Sequence, residues 1–171
     1  MFNELEIEQL ISIGEHTEEL SELLIQVVED GGSIGFLPPL ELVDAMNYWE
    51  EVLSPNVHLF VAKRNNRIIG SIQLHMCTKL NGLHRAEIVK LMTNPHYRRN
   101  GIGRLLMEKA EEVAVKEKKS LLILDTREGD PSNLLYNSLG YIKAGKIPNY
   151  VKSVNGELHG TNIYYKEINI F

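Results

Sequence analysis

The amino-acid sequence predicts an α/β fold in which helices flank a mixed, mostly antiparallel sheet. Strand-like runs separated by turn-forming residues dominate the middle of the chain, which is typical of antiparallel hairpins. Strand-like and helix-like segments then alternate, which is typical of a sheet that contains a parallel pair. The run LLILD (121–125) is short and continuously apolar, as in a strand buried on both faces. A chain of 171 residues can bury a sizeable core, so we expect a single domain over 1–171.

The first half of the chain is predicted to hold two helices and four strands. Helical periodicity is followed by Asp30-Gly31-Gly32, which favours a helix end. Asn65-Asn66 and Asn81-Gly82 are predicted to be tight turns between strands. In chain order we expect a strand near 5–11, helices over 18–28 and 39–53, and strands over 57–62, 68–77 and 86–93.

The second half is predicted to alternate helices and strands. A helix begins near Ile102, because its apolar residues recur at three-and-four spacing. The strand 121–125 follows. Asp130-Pro131 predicts another helix, with Asp130 as N-cap and Pro131 in the first turn, and Gly140 ends it. We expect the last two strands from Tyr141 onward and over 161–168.

Charge is distributed unevenly along the chain. The first 62 residues contain 13 of the 23 acidic residues and no Lys or Arg, so all 18 basic residues follow. This favours a small polyanionic ligand bound by the later part of the chain, although solvated acidic helix faces explain the first part equally well. The chain as a whole is acidic and its basic residues are scattered, so we do not expect a nucleic-acid partner.

The cellular compartment is predicted to be the cytoplasm. The segment MFNELEIEQL is acidic, which does not fit a secretory signal, and no apolar run approaches membrane-spanning length. The single cysteine, Cys77, suits a reducing environment, and its apolar surroundings predict a buried structural thiol. We expect no metal site, since His84, His96 and His159 lack ligand spacing.

The stretch RRNGIGR (98–104) predicts an anion-binding helix start. It lacks the phosphate-loop pattern with Gly-Lys-Ser/Thr, and Leu106 stands where a dinucleotide fingerprint needs glycine. It does place Arg98, Gly101 and Gly103 at the spacing Arg-x-x-Gly-x-Gly. Free N–H groups and the helix dipole attract an anion there, and glycine lets it approach the backbone.

The surrounding segments resemble the GNAT superfamily of acyl-CoA-dependent acetyltransferases. The resemblance covers AEIVKLMTNPHYRRNGIGRLLMEKAEEVA, LLILDT and LLYNSLGY. It implies a GNAT-type sheet with splayed central strands and acetyl-CoA as co-substrate. The stretches GGSIGF, NGLHRAEIVKLM, LDT and GELHGTNIYYK are also similar to members that give resistance to a small β-lactam toxin by acetylating its hydroxyl.

The resemblance implies which residues bind acetyl-CoA. The strand before the glycine loop would offer its free backbone to the pantetheine arm, and the loop would hold the diphosphate. Where many members carry an asparagine, this chain has Gly129; Asn133 lies out of register, and we give it no role. The predicted binding residues are Leu91, Met92, Thr93, Arg98, Arg99, Asn100, Gly101, Ile102, Gly103 and Arg104.

Three residues are candidates for catalysis. Glu87 occupies the position of the general base in some GNAT enzymes, and Asp125 ends a buried strand where such a sheet opens toward its ligand. Which carboxylate acts as base stays open. Tyr136 matches the tyrosine of the family that protonates the departing thiolate.

The sequence therefore predicts an acetyltransferase that acts on an amine or hydroxyl of a small polar acceptor, such as a toxin or an amino-acid-like molecule. The alternatives are a non-catalytic acyl-CoA-binding sensor and a protein N-acetyltransferase. The oligomeric state, monomer or homodimer, stays open.

Overall fold

The computed structural model of the protein describes residues 4–169, so the ends of the predicted domain 1–171 lie outside the described residues. Its helices are α1 (Thr17–Glu29), α2 (Leu42–Glu50), α3 (Ile102–Lys116) and α4 (Ser132–Ser138). Its strands are β1 (Leu5–Leu10), β2 (Val57–Arg64), β3 (Arg67–Met76), β4 (Arg85–Thr93), β5 (Leu121–Arg127), β6 (Ile142–Lys152) and β7 (Leu158–Glu167).

The predicted α/β class with a mostly antiparallel sheet is confirmed. Within the described part of the chain, the strands form one sheet in the order β1-β2-β3-β4-β5-β7-β6. All neighbouring pairs are antiparallel except β4 and β5. The final strand of the chain, β7, therefore lies between β5 and β6.

The central strands diverge as expected. Strands β4 and β5 pair only from Arg85 to Glu87, opposite Leu121 to Ile123. From Ile88 onward, the edge of β4 that faces β5 has no strand partner. The resulting gap opens at the carboxyl ends of both strands, where a ligand can reach the backbone.

Two apolar layers cover the sheet. Helices α1 and α2 contribute Leu20, Leu24 and Trp49 to a cluster that includes Leu59 of β2. Helix α3 contributes Leu106 and others to the opposite layer, which also includes residues of α4. Each fully buried Leu contributes about 1.5–3 kcal/mol of transfer free energy, so these layers hold the rims of the central gap in place.

Three local predictions need correction. Helix α2 spans only Leu42–Glu50 of the predicted 39–53, because Glu41 is extended at its start. The Asp130 carboxylate does not cap α4; it accepts a hydrogen bond from Arg127 Nε at 2.9 Å, and Pro131 is the cap residue. Asn81-Gly82 belongs to a short 3-10 turn, Leu80–Gly82, within a longer connection rather than a tight hairpin.

The half-buried Cys77 follows the end of β3, so its thiol is less buried than predicted. None of the helices in the described part of the chain is long and apolar enough to cross a membrane.

Candidate functional site

A cleft of about 1420 Å³ follows the gap between β4 and β5. It extends from the start of α3 to the carboxyl end of β5 and to residues of α2 and β3. Eleven of the thirteen predicted site residues line it, namely Leu91, Met92, Thr93, Arg98, Arg99, Gly101, Ile102, Gly103, Arg104, Asp125 and Tyr136. The structure thus brings together residues that are distant in sequence.

One end of the cleft is the start of α3. The cap residue, Gly101, has φ +74°, a left-handed conformation that glycine adopts without a steric penalty. A Cβ at Gly101 would meet no protein atom within 4 Å, whereas one at Gly103 would lie 3.2 Å from Leu135 Cδ2. The first helical bond joins Leu105 N–H to the Gly101 carbonyl, so the preceding N–H groups of the helix are free for a ligand.

Arginine side chains surround this helix start. Arg98 forms an ion pair with Asp30, and Arg104 donates to Ser138 Oγ at 2.6 Å. Arg99 adopts φ +62° and makes no hydrogen bond or ion pair through its side chain within residues 4–169. Asn100 does not line the cleft; its side-chain amide donates to the carbonyls of Tyr97 and Arg98 and holds the loop. The combination of free amides and cations suits a diphosphate.

The middle of the cleft is the unpaired edge of β4. The register between β3 and β4 shifts near Lys90, a bulge residue with φ +56°. A bulge bends a strand and re-aims its side chains. Lys90 Nζ donates to the Ile34 carbonyl and lies 5.9 Å from the centre of the Phe36 ring, so it ties the loop after α1 to the cleft. Leu91 and Thr93 follow, with backbone groups free on the β5 side.

Tyr136 lies at the opposite wall from this edge. It is 5% exposed and contacts the rings of Tyr141 and Tyr164 at centroid distances of 6.0 and 5.9 Å. Its hydroxyl has no hydrogen-bond partner among the described side chains and backbone groups. Burial raises the pKa of Tyr136 far above its ordinary value, and the negative charge of Asp125 raises the pKa further. The phenol is therefore protonated at neutral pH and can donate.

The two predicted carboxylates share a small cavity, and only Asp125 also lines the main cleft. Asp125 is exposed in the cleft and accepts a hydrogen bond from Thr161 Oγ1 at 2.9 Å. Glu87 does not line the cleft but a neighbouring cavity of about 160 Å³, which Asp125 and Thr161 also line. Burial raises the pKa of Glu87, and the charge of Asp125 adds to that rise.

Several residues of the cleft were not predicted from the sequence. They include Lys90 of β4, Gln73 and His75 of β3, Tyr48 of α2 and Tyr150 of β6. A signal existed for the β3 pair, because Gln73 and His75 alternate within an apolar strand and therefore share one face. For Lys90 the sequence offers no signal, since few residues other than glycine adopt φ above zero.

Asn133, which was given no ligand role, is part of the framework. Its amide nitrogen donates to the carbonyls of Arg127 and Asp130, and its oxygen accepts from Asn162 and Tyr164. These bonds hold the β5–α4 loop against β7. Within residues 4–169, no three His, Cys, Asp or Glu side chains are placed to hold a metal ion.

The cleft therefore combines an anion-binding helix start, an open strand edge, a protonated phenol and a carboxylate. Such a set can hold an extended phosphorylated thioester and assist attack on it from the Asp125 side.

Comparisons with known proteins agree with this fold. The model of the Acetyltransferase (GNAT) family matches residues 19–141. Among solved structures, the GNAT-family acetyltransferase from Streptococcus pneumoniae is 20% identical, with a TM-score of 0.81 over 96% of this chain and 100% of that chain. The ribosomal-protein-alanine N-acetyltransferase from Brucella melitensis is 19% identical, with a TM-score of 0.81 over 95% and 99%. The yncA protein from Salmonella typhimurium, solved with its cofactor acetyl-CoA, is 14% identical, with a TM-score of 0.79 over 98% and 95%.

Proposed function

The chain belongs to the GNAT acetyltransferase family, and on that premise we propose that it transfers an acetyl group from acetyl-CoA to an amine or hydroxyl of a small polar acceptor. The observation that carries the proposal is the cleft itself. An anion-binding helix start lies at one end, and Tyr136 and Asp125 lie at the other. A non-catalytic acyl-CoA sensor would need the first end but not the second.

Acetyl-CoA is proposed to lie along the gap between the strands. Its diphosphate occupies the start of α3, held by free N–H groups of the loop and helix and by the charges of Arg98, Arg99 and Arg104. Gly101 leaves room for that group. The pantetheine arm follows the unpaired edge of β4 at Leu91, Met92 and Thr93. These contacts orient the thioester, which lowers the entropic part of the barrier.

The chemistry is proposed to proceed by direct attack. The acceptor enters from the side of Asp125, which binds or activates it together with Glu87 in the adjoining cavity. The acceptor atom bonds to the acetyl carbonyl carbon, and the carbon–sulfur bond then breaks. The raised pKa of Tyr136 keeps its hydroxyl protonated at neutral pH, and this hydroxyl hydrogen-bonds to the departing thiolate and donates its proton to it.

Two observations bear on the class of acceptor, and they favour different groups. Resemblance to the tabtoxin resistance protein favours a hydroxyl on a toxin or amino-acid-like molecule, which would confer resistance. The acidic first part of the chain suits a cationic amine. Protein N-acetylation is a second candidate, favoured by likeness to an enzyme named for ribosomal-protein alanine. We place the protein in the cytoplasm, where acetyl-CoA and a reduced Cys77 are both expected.

A thiol-release assay with a panel of amines, amino acids, hydroxylated analogues and peptides tests the proposal. We expect acetyl-CoA-dependent thiol release with at least one small acceptor, accompanied by a gain of one acetyl group on that acceptor by mass spectrometry. Release only with peptides would favour the protein N-acetyltransferase. Tight acetyl-CoA binding without release across the whole panel would favour the sensor.

A further inference from the structure

Two polar side chains of β3 form a hydrogen-bonded relay that ends in the cleft. Gln73 Nε2 donates to the Tyr48 hydroxyl at 2.9 Å, and Gln73 Oε1 lies 2.9 Å from His75 Nε2. An amide oxygen only accepts hydrogen bonds, so His75 Nε2 carries the ring proton. The other ring nitrogen, Nδ1, therefore has a free lone pair. Tyr48, Gln73 and His75 all line the cleft.

The sheet register places His75 on the acceptor side. His75 lies directly opposite Glu87, and Glu87 lies opposite Ile123 of β5. Directly opposite residues share a face, and Asp125 is two residues beyond Ile123 on that same face. The imidazole thus lies in the row adjacent to Asp125. It lines the main cleft, whereas the carboxylate of Glu87 does not.

We propose that His75 is the general base of the transfer reaction, held in its reactive tautomer by Gln73 and Tyr48, and that Asp125 and Glu87 bind the acceptor rather than deprotonate it. The proposal rests on the proposed function, because it assigns a role within the same cleft. As the acceptor nitrogen or oxygen bonds to the acetyl carbon, its proton passes to His75 Nδ1. The carbon–sulfur bond then breaks, the thiolate takes a proton from Tyr136, and both side chains exchange protons with water afterwards.

Burial and the positive charge of Lys90 favour the neutral form of His75, whereas the carboxylates nearby oppose it. Glu87 and Lys90 face it from β4, Tyr48 from α2 through Gln73, and Asp125 from β5. Burial lowers the pKa of His75 below its ordinary 6.5, and the positive charge of Lys90 lowers the pKa further. The imidazole is therefore in the form that can accept a proton at neutral pH.

The pH dependence of kcat/KM in His75→Gln tests the proposal once an acceptor is identified. The parent should gain activity with rising pH through an apparent pKa below 6.5. His75→Gln should lose that limb and about 10²-fold in kcat/KM, with parental affinity for acetyl-CoA. His58→Gln is the matched control, because His58 lies on β2, bonds to Gln9 and does not line the cleft. Its pH profile should be parental.

A nitrogen NMR spectrum of the His75 ring provides a second test that needs no acceptor. We expect the Nε2–H tautomer in the parent and a mixture of tautomers in Tyr48→Phe, where the Gln73 amide loses its fixed orientation. A parental tautomer of Nδ1–H would overturn the proposal, as would a parental pH profile in active His75→Gln. A parent that binds acetyl-CoA but releases no thiol with any acceptor would remove the proposed function, and this role with it.

Discussion

Glu87 and Asp125 share one face of the sheet, and the negative charge of Asp125 opposes ionisation of Glu87. Burial is the larger cause and Asp125 the second cause of the raised pKa of Glu87. A folded state that holds a proton more tightly than the unfolded chain is favoured below the unfolded pKa of 4.5. That advantage is lost as pH rises through the raised pKa.

We therefore expect Glu87→Gln to stabilise the apo protein at neutral pH, with a gain that disappears as pH falls toward 4.5. Thermal unfolding across pH 4 to 8 measures it. Glu128→Gln is the control of opposite sign, since hydrogen bonding to Lys146 lowers the pKa of exposed Glu128. Removing that charge should leave stability unchanged or reduce it. A loss of stability in Glu87→Gln at pH 7 would show that the ionised carboxylate is favourably bound.

Tyr136 offers a test of the proposed acid. Tyr136→Phe keeps the ring packed between Tyr141 and Tyr164 and removes only the hydroxyl. We expect turnover to fall by about 10²–10⁴-fold while acetyl-CoA affinity stays parental, as measured by thiol release and calorimetry.

Tyr141→Phe is the matched control for that substitution. Tyr141 is 3% exposed and donates to Glu111 Oε1 at 3.0 Å, away from the cleft. Loss of this hydrogen bond should lower the free energy of unfolding by about 1 kcal/mol and leave turnover unchanged. Parental turnover in Tyr136→Phe would instead mean that water or another group protonates the thiolate.

At the level of residues, the sequence predicted those site residues that lie within a recognisable local pattern. Asp125 ends an apolar run and Tyr136 precedes a Leu-Gly-Tyr segment, and both line the cleft. Lys90 could not be predicted, because its place depends on a bulge created by pairing with β3. The separation of Glu87 from the main cleft depends on where β4 and β5 stop pairing, which no local pattern specifies.

At the level of elements, the glycine loop before α3 determines how an anion approaches. The helix was predicted from its periodicity, but the surroundings of its two glycines depend on the folded structure. Gly101 adopts the left-handed conformation with open space beside it, whereas Gly103 lies inside the helix against Leu135. A substitution at Gly103 therefore disturbs packing, so Gly101 is the cleaner position for a test.

Gly101→Val should weaken acetyl-CoA binding by at least tenfold in calorimetry, because the side chain would occupy the space at the helix start and strain the loop. Gly156→Val is the matched control. Gly156 has φ +87°, a Cβ there also meets no atom within 4 Å, and it lies in the β6–β7 turn away from the cleft. It should suffer a similar backbone strain with parental affinity. Equal affinity in Gly101→Val and the parent would mean that this loop does not hold the diphosphate.

The capping of α4 shows why element boundaries resist prediction. Asp130-Pro131 is a favourable helix start, yet the Asp130 carboxylate bonds to Arg127. Arg127 also donates to the Gly31 carbonyl, 96 residues away. The competing partner therefore comes from tertiary structure. Helix α2 is shorter than predicted for a different reason, since Glu41, directly before its first turn, is extended.

At the level of the whole molecule, the arrangement of strands creates the cleft. Antiparallel hairpins and the α/β class followed from turn residues and periodicity. The insertion of β7 between β5 and β6 did not, because it depends on pairing between residues up to 46 apart, such as Leu121 and Glu167. The basic residues of the later part of the chain include Arg98, Arg99 and Arg104, which line one end of the cleft.

Thermal unfolding of the parent with acetyl-CoA, NAD and ATP tests the central claim most directly. That claim is that the cleft binds acetyl-CoA, with its diphosphate at the start of α3. At 100 times its dissociation constant, acetyl-CoA should stabilise the protein by about 2.7 kcal/mol and raise the melting temperature by several degrees. NAD and ATP at the same concentration should leave the melting temperature unchanged, because the loop matches neither nucleotide pattern. A shift with NAD or ATP and none with acetyl-CoA would contradict the account.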